Sequence, residues 1–406
     1  MTIAVNPSAL DELLSFRGKR APLAGNSDPR DSARYISFIY GFPDAATLPN
    51  ATVLSATESA LSNDPEWALQ YGKTAGETAL INVLLKKLKR DQKIDAGLEN
   101  VMITAGSSQA IQLLLDLLID AGDVVIAEAP TFLGFIATLD NFGARLVGVP
   151  VDDNGIDVDA VERTLIELRT QGIRPKFIYC ISNFQNPTGI STTLERRKRL
   201  VALAQEFGTL IVEDDAYHDI RFSDNWIPPI YTLDDSGSTI YLGTLSKIMG
   251  PGMRIGWMVA APKIISKITS LKTDGGTNIF GAHVAAAWIP EHLDEHIQTL
   301  RDVYSRRRNL MLAALEAHMP EGVSWTKPDG GFFIWVTLPD QLDAGRMLAQ
   351  ARERGVEYLP GVTCFTGGVG SNQLRLSFSY AQDDQIEPGI GMLAEVVKGE
   401  LLETAR

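Results

Sequence analysis

Residues 210–217 read LIVEDDAY and residues 239–247 read TIYLGTLSK. Each stretch begins with a short run of mainly apolar and β-branched residues and then becomes polar. A strand that is covered on both faces shows this continuous apolar pattern, whereas a strand with one solvated face alternates. We therefore predict two strands of a buried sheet, each ending at a group of polar side chains.

The same pattern recurs through the middle of the chain. Helical patterns, such as those at 109–120 and 194–207, separate the apolar runs. Alternation of strands with helices is typical of βαβ units, which build a mostly parallel sheet. The predicted strands cover residues 101–104, 124–127, 177–181, 210–212, 239–242 and 254–260.

The last third of the chain has a different pattern. A polar-rich helical stretch over 293–318 precedes two alternating runs at 331–336 and 374–378. Alternation is typical of half-exposed strands in an antiparallel sheet. We predict a large α/β domain over residues 51–290 and a small α+β domain formed by residues 1–50 and 291–406.

Composition excludes several classes of protein. The 406 residues carry 37 Lys and Arg against 50 Asp and Glu, a formal charge of −13. This acidic balance disfavours general binding to nucleic acid or to anionic membranes, although a local cationic pocket remains open. Two cysteines are too few for a disulfide scaffold. No stretch has the pattern of a signal peptide or a membrane span, so we predict a cytoplasmic protein.

The residues that follow the first three strands could bind a ligand, because open α/β sheets bind ligands beyond the carboxyl ends of their strands. Gly106, Ser107 and Ser108 open a helix, whose free N–H groups and dipole suit a phosphate; an ordinary serine N-cap is the alternative. Phe132 could cover a flat ring or pack in the core. Asn186 lies in Asn-Pro-Thr-Gly, which also makes a plain turn.

The next two strand ends add charged residues. Asp214 and Asp215 precede Tyr217, and Lys247 precedes Arg254. Taken singly, each could be a solvated charge. Taken together, the strand ends fit pyridoxal 5′-phosphate, whose aldehyde needs a lysine, whose pyridine nitrogen needs an anion and whose phosphate needs hydroxyls and an arginine.

The order and spacing of these motifs resemble one family. Asn-Pro-Thr-Gly at 186–189, Asp-Asp-Ala-Tyr at 214–217 and the segment 246–257 are similar to the fold type I PLP-dependent aminotransferases of class I/II, close to the 2-aminoadipate/kynurenine branch. The resemblance runs from about Tyr40 to Phe378. It implies a mostly parallel sheet with helices on both faces, plus a smaller α+β domain.

The resemblance also implies roles for single residues. Lys247 forms the Schiff base with the cofactor, and Tyr217 and Asn186 donate to its phenolic oxygen. Asp214 pairs with the pyridinium, rather than Asp215, because the aspartate of the family lies three residues before the tyrosine. The other implied cofactor contacts hold the phosphate or stack on the ring: Ser107, Ser108, Thr244, Ser246, Arg254 and Phe132.

Substrate contacts follow from the same resemblance. Arg375 clamps the α-carboxylate as a planar two-pronged donor, and Asn186, Tyr40 and Gly41 also contact the substrate. Tyr71 resembles the tyrosine that reaches the phosphate of the neighbouring subunit, which implies a homodimer. The implied activity moves an amino group from an L-amino acid to a 2-oxo acid by a ping-pong mechanism through the Lys247 Schiff base.

Two alternatives stay within this fold. The same site can decarboxylate, eliminate or oxidise an amino acid, although Arg375 favours transamination because it holds the carboxylate in the ring plane. The segment 273–280 and His218, which stands where an arginine is common, depart from the family pattern and leave the substrate open. A regulator that binds the cofactor without catalysis is a remote alternative, since only about 50 residues precede the large domain.

A third class is a metallopeptidase. Residues 292–296 read HLDEH and match H-x-x-E-H, in which two histidines on one helical face can bind zinc. The motif follows Pro290 directly and lies in a polar segment. We expect it to be a solvated helix start, and we predict no metal site.

Overall fold

The computed structural model describes residues 11–21 and 34–404. The helices are α1 (Phe16–Arg20), α2 (Asn50–Asn63), α3 (Thr78–Lys87), α4 (Ser107–Leu118), α5 (Leu133–Asn141), α6 (Val158–Thr170), α7 (Leu194–Phe207), α8 (Pro262–Leu271), α9 (Ile279–His318), α10 (Ala344–Glu353) and α11 (Asp383–Thr404). The strands are β1 (Ile36–Ser37), β2 (Val101–Thr104), β3 (Val124–Ala129), β4 (Arg145–Asp152), β5 (Gly155–Ile156), β6 (Phe177–Cys180), β7 (Leu210–Asp214), β8 (Thr239–Thr244), β9 (Gly256–Val259), β10 (Ser324–Trp325), β11 (Phe333–Thr337), β12 (Val356–Glu357), β13 (Leu359–Pro360) and β14 (Gln373–Ser377).

The large sheet has eight strands in the order β2-β9-β8-β7-β6-β3-β4-β5. The pairs β3/β4, β3/β6, β6/β7 and β7/β8 are parallel. The prediction of a mostly parallel sheet is therefore confirmed. Strand β9 runs antiparallel to both β2 and β8, a direction that its apolar run does not reveal.

Helices cover both faces of this sheet. Alternate residues of a strand point to opposite faces, so Val212 packs with α4, α5 and α8, while Ile211 packs with α6 and α7. At the β8–β9–β2 end, Tyr241 and Trp257 share a core with α3 and α9. Burial on both sides explains why these strands are apolar throughout.

The smaller sheets lie near the C-terminus. Strands β10, β11, β14 and β13 form an antiparallel sheet, and β1 pairs in parallel with β12. The prediction that β11 and β14 are half-exposed is wrong, because four of the five residues in each strand are buried. Leu374 and Leu376 face the hydrophobic core, whereas Arg375 between them faces a cavity rather than solvent.

Helix α9 corrects a second prediction. It begins after Asn278, whose side chain caps it, and Pro290 lies inside it, so the HLDEH motif is not a helix start. The turns before Pro290 carry Ala285 and Trp288, which are buried in the core shared with α2 and α3. Burial of this apolar face offsets the single backbone hydrogen bond that a proline cannot donate.

The predicted domain boundary at residues 290 and 291 falls inside α9. The division of the chain into residues 51–290 and the remainder stays a prediction. Across residues 11–21 and 34–404, none of the helices combines the length and the apolar character that a bilayer crossing requires. The cytoplasmic location likewise stays a prediction.

Candidate active site

A cavity of about 480 Å³ opens where β6, β7 and β8 end, and the small antiparallel sheet forms part of its wall. Parallel strands bring the loops at their carboxyl ends to one edge of the sheet. Every residue predicted from the sequence to contact the cofactor or the substrate lines this cavity, with the single exception of Tyr71. The predicted residues that line it are Tyr40, Gly41, Ser107, Ser108, Phe132, Asn186, Asp214, Tyr217, Thr244, Ser246, Lys247, Arg254 and Arg375.

Lys247 lies directly after β8 and points into the cavity. Its Nζ donates to the carbonyl of Gly41 at 3.0 Å and lies 5.8 Å from the ring centres of both Tyr217 and Phe332. Withdrawal from water, reinforced by the charge of Arg375, lowers the pKa of this amine to about 8. Within the described residues no carboxylate lies within salt-bridge distance of Lys247, so nothing there restores the pKa, and a minor but substantial fraction of the amine is unprotonated near physiological pH.

Asp214 ends β7 and is buried. Its Oδ2 accepts a hydrogen bond from the hydroxyl of Tyr179 at 2.8 Å, while its Oδ1 is buried without any partner. Burial raises the pKa of this carboxyl to about 6, and the hydrogen bond from Tyr179 opposes the rise. A buried oxygen without a donor is costly, and a cationic N–H supplied by a ligand would satisfy it.

Asp215 is the contrasting neighbour. It accepts from Asn183 at 2.8 Å and from Tyr241 at 3.0 Å, and it pairs with Nδ1 of His218 at 3.2 Å. Burial alone raises its pKa, but His218 and the donors around it hold the pKa below its ordinary value. Both its oxygens are occupied, so His218, which departs from the family pattern, belongs to this network beside the site.

The start of α4 forms an anion-binding site, the phosphate seat, which consists of Gly106, Ser107, Ser108 and Arg254. Gly106 has a φ of +79°, and a Cβ placed there would lie 2.8 Å from Nη2 of Arg254, so the position suits glycine. Ser107 and Ser108 open the helix next to this guanidinium. Hydroxyls, a guanidinium and the positive end of a helix dipole together suit a phosphate dianion.

Thr244 and Ser246 continue the same wall of the cavity. The Thr244 hydroxyl lies 2.9 Å from Oγ of Ser246 and also accepts the backbone N–H of Ser246 at 3.1 Å. Both side chains are buried. These contacts orient two hydroxyl groups next to Lys247, on the turn that joins β8 to the lysine.

Arg375 forms the opposite side of the cavity, on β14. Its Nη1 donates to Oδ1 of Asn186 at 2.8 Å, and its Nη2 donates to the carbonyl of Ile39. Its Nε is buried without a partner, and its guanidinium lies 4.1 Å from the ring centre of Phe333. Burial lowers the pKa of Arg375, but a guanidinium stays charged, so this is a fixed cation without a carboxylate.

Two further residues support the site although the sequence does not single them out. Tyr179 holds Asp214, and Phe333 packs against the guanidinium of Arg375. Glu128 lies outside the cavity lining and is buried, and burial is the chief cause that raises its pKa to about 8. For Tyr179, the signal in the sequence is a tyrosine inside an otherwise apolar strand, because a buried hydroxyl requires a hydrogen-bond partner. Nothing in the local pattern shows which partner it finds.

Tyr71 lies outside the cavity lining, and its side chain is largely exposed. The neighbouring Gly72 donates its N–H to the carbonyl of Gly275 at 3.2 Å. The segment 273–280, which departs from the family pattern, therefore packs against the tyrosine segment. Asn278 of the same segment caps α9.

The HLDEH motif lines a different and larger cavity, of about 790 Å³, between α2, α9 and the start of α11. His296 Nε2 lies 2.9 Å from the carbonyl of Ile248. In the part of the chain that the structure describes, no group of three or more His, Cys, Asp or Glu side chains is placed to hold a metal ion. None of the residues nominated from the sequence as cofactor or substrate contacts lines this cavity.

Comparisons with known proteins agree with this geometry. The family model for aminotransferase class I and II matches residues 40–393. Aromatic-amino-acid aminotransferase 1 of Thermococcus litoralis is 39% identical over 374 residues, which cover 91% of this chain and 90% of that protein.

Two solved structures are similar over almost their whole length. A kynurenine aminotransferase of Pyrococcus horikoshii in complex with PMP is 40% identical, with a TM-score of 0.91 and coverage of 97% of this chain and 98% of that chain. The α-aminoadipate aminotransferase LysN of Thermus thermophilus, complexed with N-(5′-phosphopyridoxyl)-L-leucine, is 33% identical, with a TM-score of 0.88 and coverage of 97% and 99%.

The residues present fit the cofactor of these relatives. The orphaned Oδ1 of Asp214 suits a pyridinium N–H, the amine of Lys247 suits an aldehyde, and the seat around Ser107 and Arg254 suits a phosphate. The fold, the cavity and the match over most of the chain agree. The chain belongs to the class I and II aminotransferases, and it uses pyridoxal 5′-phosphate to transfer amino groups between amino acids and 2-oxo acids.

Proposed function

We propose that this aminotransferase works by a ping-pong mechanism in which Lys247 both anchors the cofactor and moves the substrate Cα proton, with an L-amino acid of apolar or aromatic side chain as donor. One observation carries the proposal. The partly neutral amine of Lys247, with its pKa lowered to about 8, shares one cavity with the free oxygen of Asp214 and the fixed cation of Arg375.

The cofactor, when bound, supplies an aldehyde carbon that takes the amino group and a cationic ring that accepts the electron pair left at Cα. Asp214 stabilises the proton on the ring nitrogen, and Tyr179 holds Asp214 in place through its 2.8 Å hydrogen bond. Tyr217 and Asn186 would donate to the phenolic oxygen, and Phe132 would cover the ring. The phosphate would be held by the hydroxyls and the guanidinium of Ser107, Ser108, Thr244, Ser246 and Arg254.

Lys247 acts as general base and then as general acid. Its low pKa leaves part of the amine unprotonated, so its Nζ could accept the proton from the substrate Cα and then, as an ammonium, donate that proton. General acid–base catalysis of this kind contributes about 10²–10⁴-fold. The first oxo acid leaves before the second enters, which is the kinetic order of a ping-pong mechanism.

Arg375 binds the substrate α-carboxylate. Its buried, unpartnered Nε and its planar fork can make two parallel hydrogen bonds to a carboxylate. Tyr40 and Gly41 form the wall beside the Lys247 amine, which donates to the carbonyl of Gly41. A carboxylate held by Arg375 would be restrained from leaving as carbon dioxide, which favours proton removal over decarboxylation.

The rest of the wall supports a large apolar side chain on the donor. Tyr40 and Phe42 stack with ring centres 4.8 Å apart, and Leu133 and Leu359 also line the cavity. Among the described residues of this wall only Lys247, Arg254 and Arg375 are cations, and each is assigned above. These described residues therefore offer no further cation that could bind the side-chain carboxylate of an acidic donor, and the absence of such a cation disfavours acidic donors.

A substrate profile tests the donor. Initial rates for phenylalanine, tyrosine, tryptophan and kynurenine should exceed those for aspartate and 2-aminoadipate, with 2-oxoglutarate and pyruvate as acceptors. Parallel lines in double-reciprocal plots at several acceptor concentrations support ping-pong order, whereas intersecting lines contradict it. Borohydride reduction of the loaded protein should attach the cofactor to the peptide that contains Lys247 and to no other peptide.

We also propose a homodimer in which Tyr71 reaches the phosphate seat of the neighbouring subunit. Trp67, Leu69 and Tyr71 are 57%, 74% and 80% exposed in the single chain. They form an apolar surface of the kind that protein partners cover.

A mixing experiment tests the dimer. Subunits with Lys247→Ala and subunits with Tyr71→Ala, each weak alone, should regain activity when mixed, because the hybrid dimer contains one complete site. No regain after subunit exchange contradicts the proposal.

A further inference from the structure

A second polar cavity, of about 410 Å³, lies between α9, the turn after α3 and the loop that follows β7. Four cations line it: Arg90, Lys93, Arg221 and Arg301. None of the residues assigned above to the cofactor or to the substrate lines this cavity. The binding of the cofactor and the substrate therefore does not account for the cations of this cavity.

The carboxylates of this cavity are already paired. Asp294 and Asp91 each bind Arg90, both at 2.6 Å, and Asp91 also lies 3.3 Å from Nζ of Lys87. Asp219 binds Nζ of Lys87 at 2.9 Å. The acids of the cavity are thus held by two cations, one of which, Lys87, lies behind its wall.

Three cations remain without a carboxylate. In the described part of the chain, Lys93, Arg221 and Arg301 form no salt bridge; Lys93 and Arg301 donate only to the carbonyls of Arg90 and Asp219. The Nε of Arg221 and the indole Nε1 of Trp226 are buried without any partner. The cavity wall therefore has more hydrogen-bond donors than acceptors, and excess positive charge.

The two arginines also repel each other. Arg301 is half-buried, and its pKa is lowered by burial first and by the charge of Arg221 next, against the opposing effects of Asp219, Asp224 and Asp91. Two like charges in a partly desolvated cavity destabilise the folded protein unless an anion lies between them. Guanidinium groups suit phosphoryl oxygens because their planar N–H groups donate in pairs.

We propose that this cavity, bounded by Arg221, Arg301, Lys93 and Trp226, is a binding site for a small phosphoryl dianion, either inorganic phosphate or a phosphate monoester. It is separate from the cofactor seat and does not depend on the proposed mechanism. Ile220, next to Arg221, donates its N–H to the carbonyl of Tyr217 at 2.8 Å, so the new site and the cofactor site share one loop.

Calorimetric titration and thermal unfolding of the protein loaded with pyridoxal 5′-phosphate test the proposal, because the cofactor then occupies its own phosphate seat. The titrants are inorganic phosphate, glycerol phosphate and succinate, at constant ionic strength. Phosphate should bind and raise Tm, as a ligand of the folded state does. Glycerol phosphate binding as well indicates a monoester site, and its failure restricts the site to the free ion. Absence of phosphate binding, or succinate binding in its place, overturns the proposal.

Substitutions locate the binding. Arg221→Gln and Arg301→Gln should each raise the Kd for phosphate by about tenfold or more. The control Arg346→Gln, whose side chain is 90% exposed on α10, should leave it unchanged. A Kd that is the same in all three variants places the phosphate elsewhere and overturns the proposal.

The anion-free protein gives a second readout that separates binding from a merely structural role. Without phosphate, Arg221→Gln should be at least as stable as the parent protein, because it removes the repulsion with Arg301. A lower Tm under these conditions shows that Arg221 supports the fold and overturns the proposal. Transaminase activity without phosphate should be unchanged in this variant.

Discussion

Lys87 and Lys247 are both withdrawn from bulk water, and their surroundings are opposite. Lys87 is 3% exposed and lies 2.9 Å and 3.3 Å from carboxylate oxygens of Asp219 and Asp91. Burial alone lowers its pKa, but these two acids outweigh the effect and hold the pKa above its ordinary value. Lys247 has no such acid, and its pKa falls to about 8.

The difference separates a structural charge from a reactive one. Asp214 and Asp215 differ in the same way at adjacent positions. Both carboxylate oxygens of Asp215 have partners within the protein, whereas Oδ1 of Asp214 has none among the described residues. Burial alone does not indicate function. A buried titratable group that the protein leaves unpaired, next to a cavity, does.

The largest difference between the two lysines should follow from removing Lys247, the reactive one. Lys247→Ala should lower kcat by about 10⁴-fold, because the variant loses both its cofactor anchor and its base. It should keep the parent Tm to within a few degrees, because it removes only the hydrogen bond to the carbonyl of Gly41 and leaves no carboxylate unpaired. Steady-state assays and thermal unfolding measure both. The exposed Lys263→Ala is the control, and activity of Lys247→Ala within tenfold of the control contradicts the assignment.

Removing the structural lysine, Lys87, should instead lower the stability of the protein. Lys87→Met leaves the carboxylate of Asp219 without its cation and removes one of the two cations that hold Asp91, and it should lower the free energy of unfolding by about 3–5 kcal/mol. Lys89→Met, two residues further along the chain, removes an exposed pair with Asp95 and should change the free energy of unfolding by less than about 1 kcal/mol. Denaturant unfolding measures both. Equal losses in the two variants contradict the contrast.

The lowered pKa of Lys247 also predicts how stability depends on pH. Folding lowers the pKa of Lys247 from 10.5 to about 8, so between these pH values the unfolded chain holds the extra proton. The free energy of unfolding should therefore rise with pH across this window, by up to about 3 kcal/mol, through this group. Cofactor-free protein and its Lys247→Met variant should diverge between about pH 8 and about pH 10 in denaturant titrations. Parallel curves contradict the lowered pKa.

The smallest expected effect is on the support of Asp214. Tyr179→Phe removes one hydrogen bond to a carboxylate that has few others, and should lower kcat by about fivefold to tenfold. Because that hydrogen bond lowers the pKa of Asp214, the lower limb of the pH–rate profile should move to higher pH. Phe177→Leu on the same strand is the control. An unchanged profile shows that Tyr179 only fills space.

Much of the site could be predicted because parallel strands end at one edge of the sheet. A run such as 210–214 specifies both a strand and the polar group after it, so Asp214, Lys247 and Ser107 could be placed together without coordinates. Arg375 could be identified as a candidate site residue because it is a single cation between Leu374 and Leu376 on one strand. Its role rested on resemblance, and the role stays a proposal.

Other features could not be predicted from local pattern. Helix α9 continues through Pro290 because its first turns are buried, which is a property of its neighbours. Strand β9 runs antiparallel, and an apolar run has no direction. The partners of Asp215 come from β8 and from the loops after β6 and β7, so its satisfied state is visible only in three dimensions.

Local sequence patterns were sufficient to predict the order of strands and helices, the sheet buried on both faces and the residue types at each strand end, because periodicity and side-chain chemistry are local properties. Which of these residues lack a partner is a property of the folded chain alone. Among the described residues, Lys247 has no carboxylate within salt-bridge distance, Oδ1 of Asp214 has no donor, and Arg221 and Arg301 line the same cavity. These facts depend on distances between segments far apart in the chain. Charge balance in a cavity is a sum over all its walls, and no single stretch of sequence contains it.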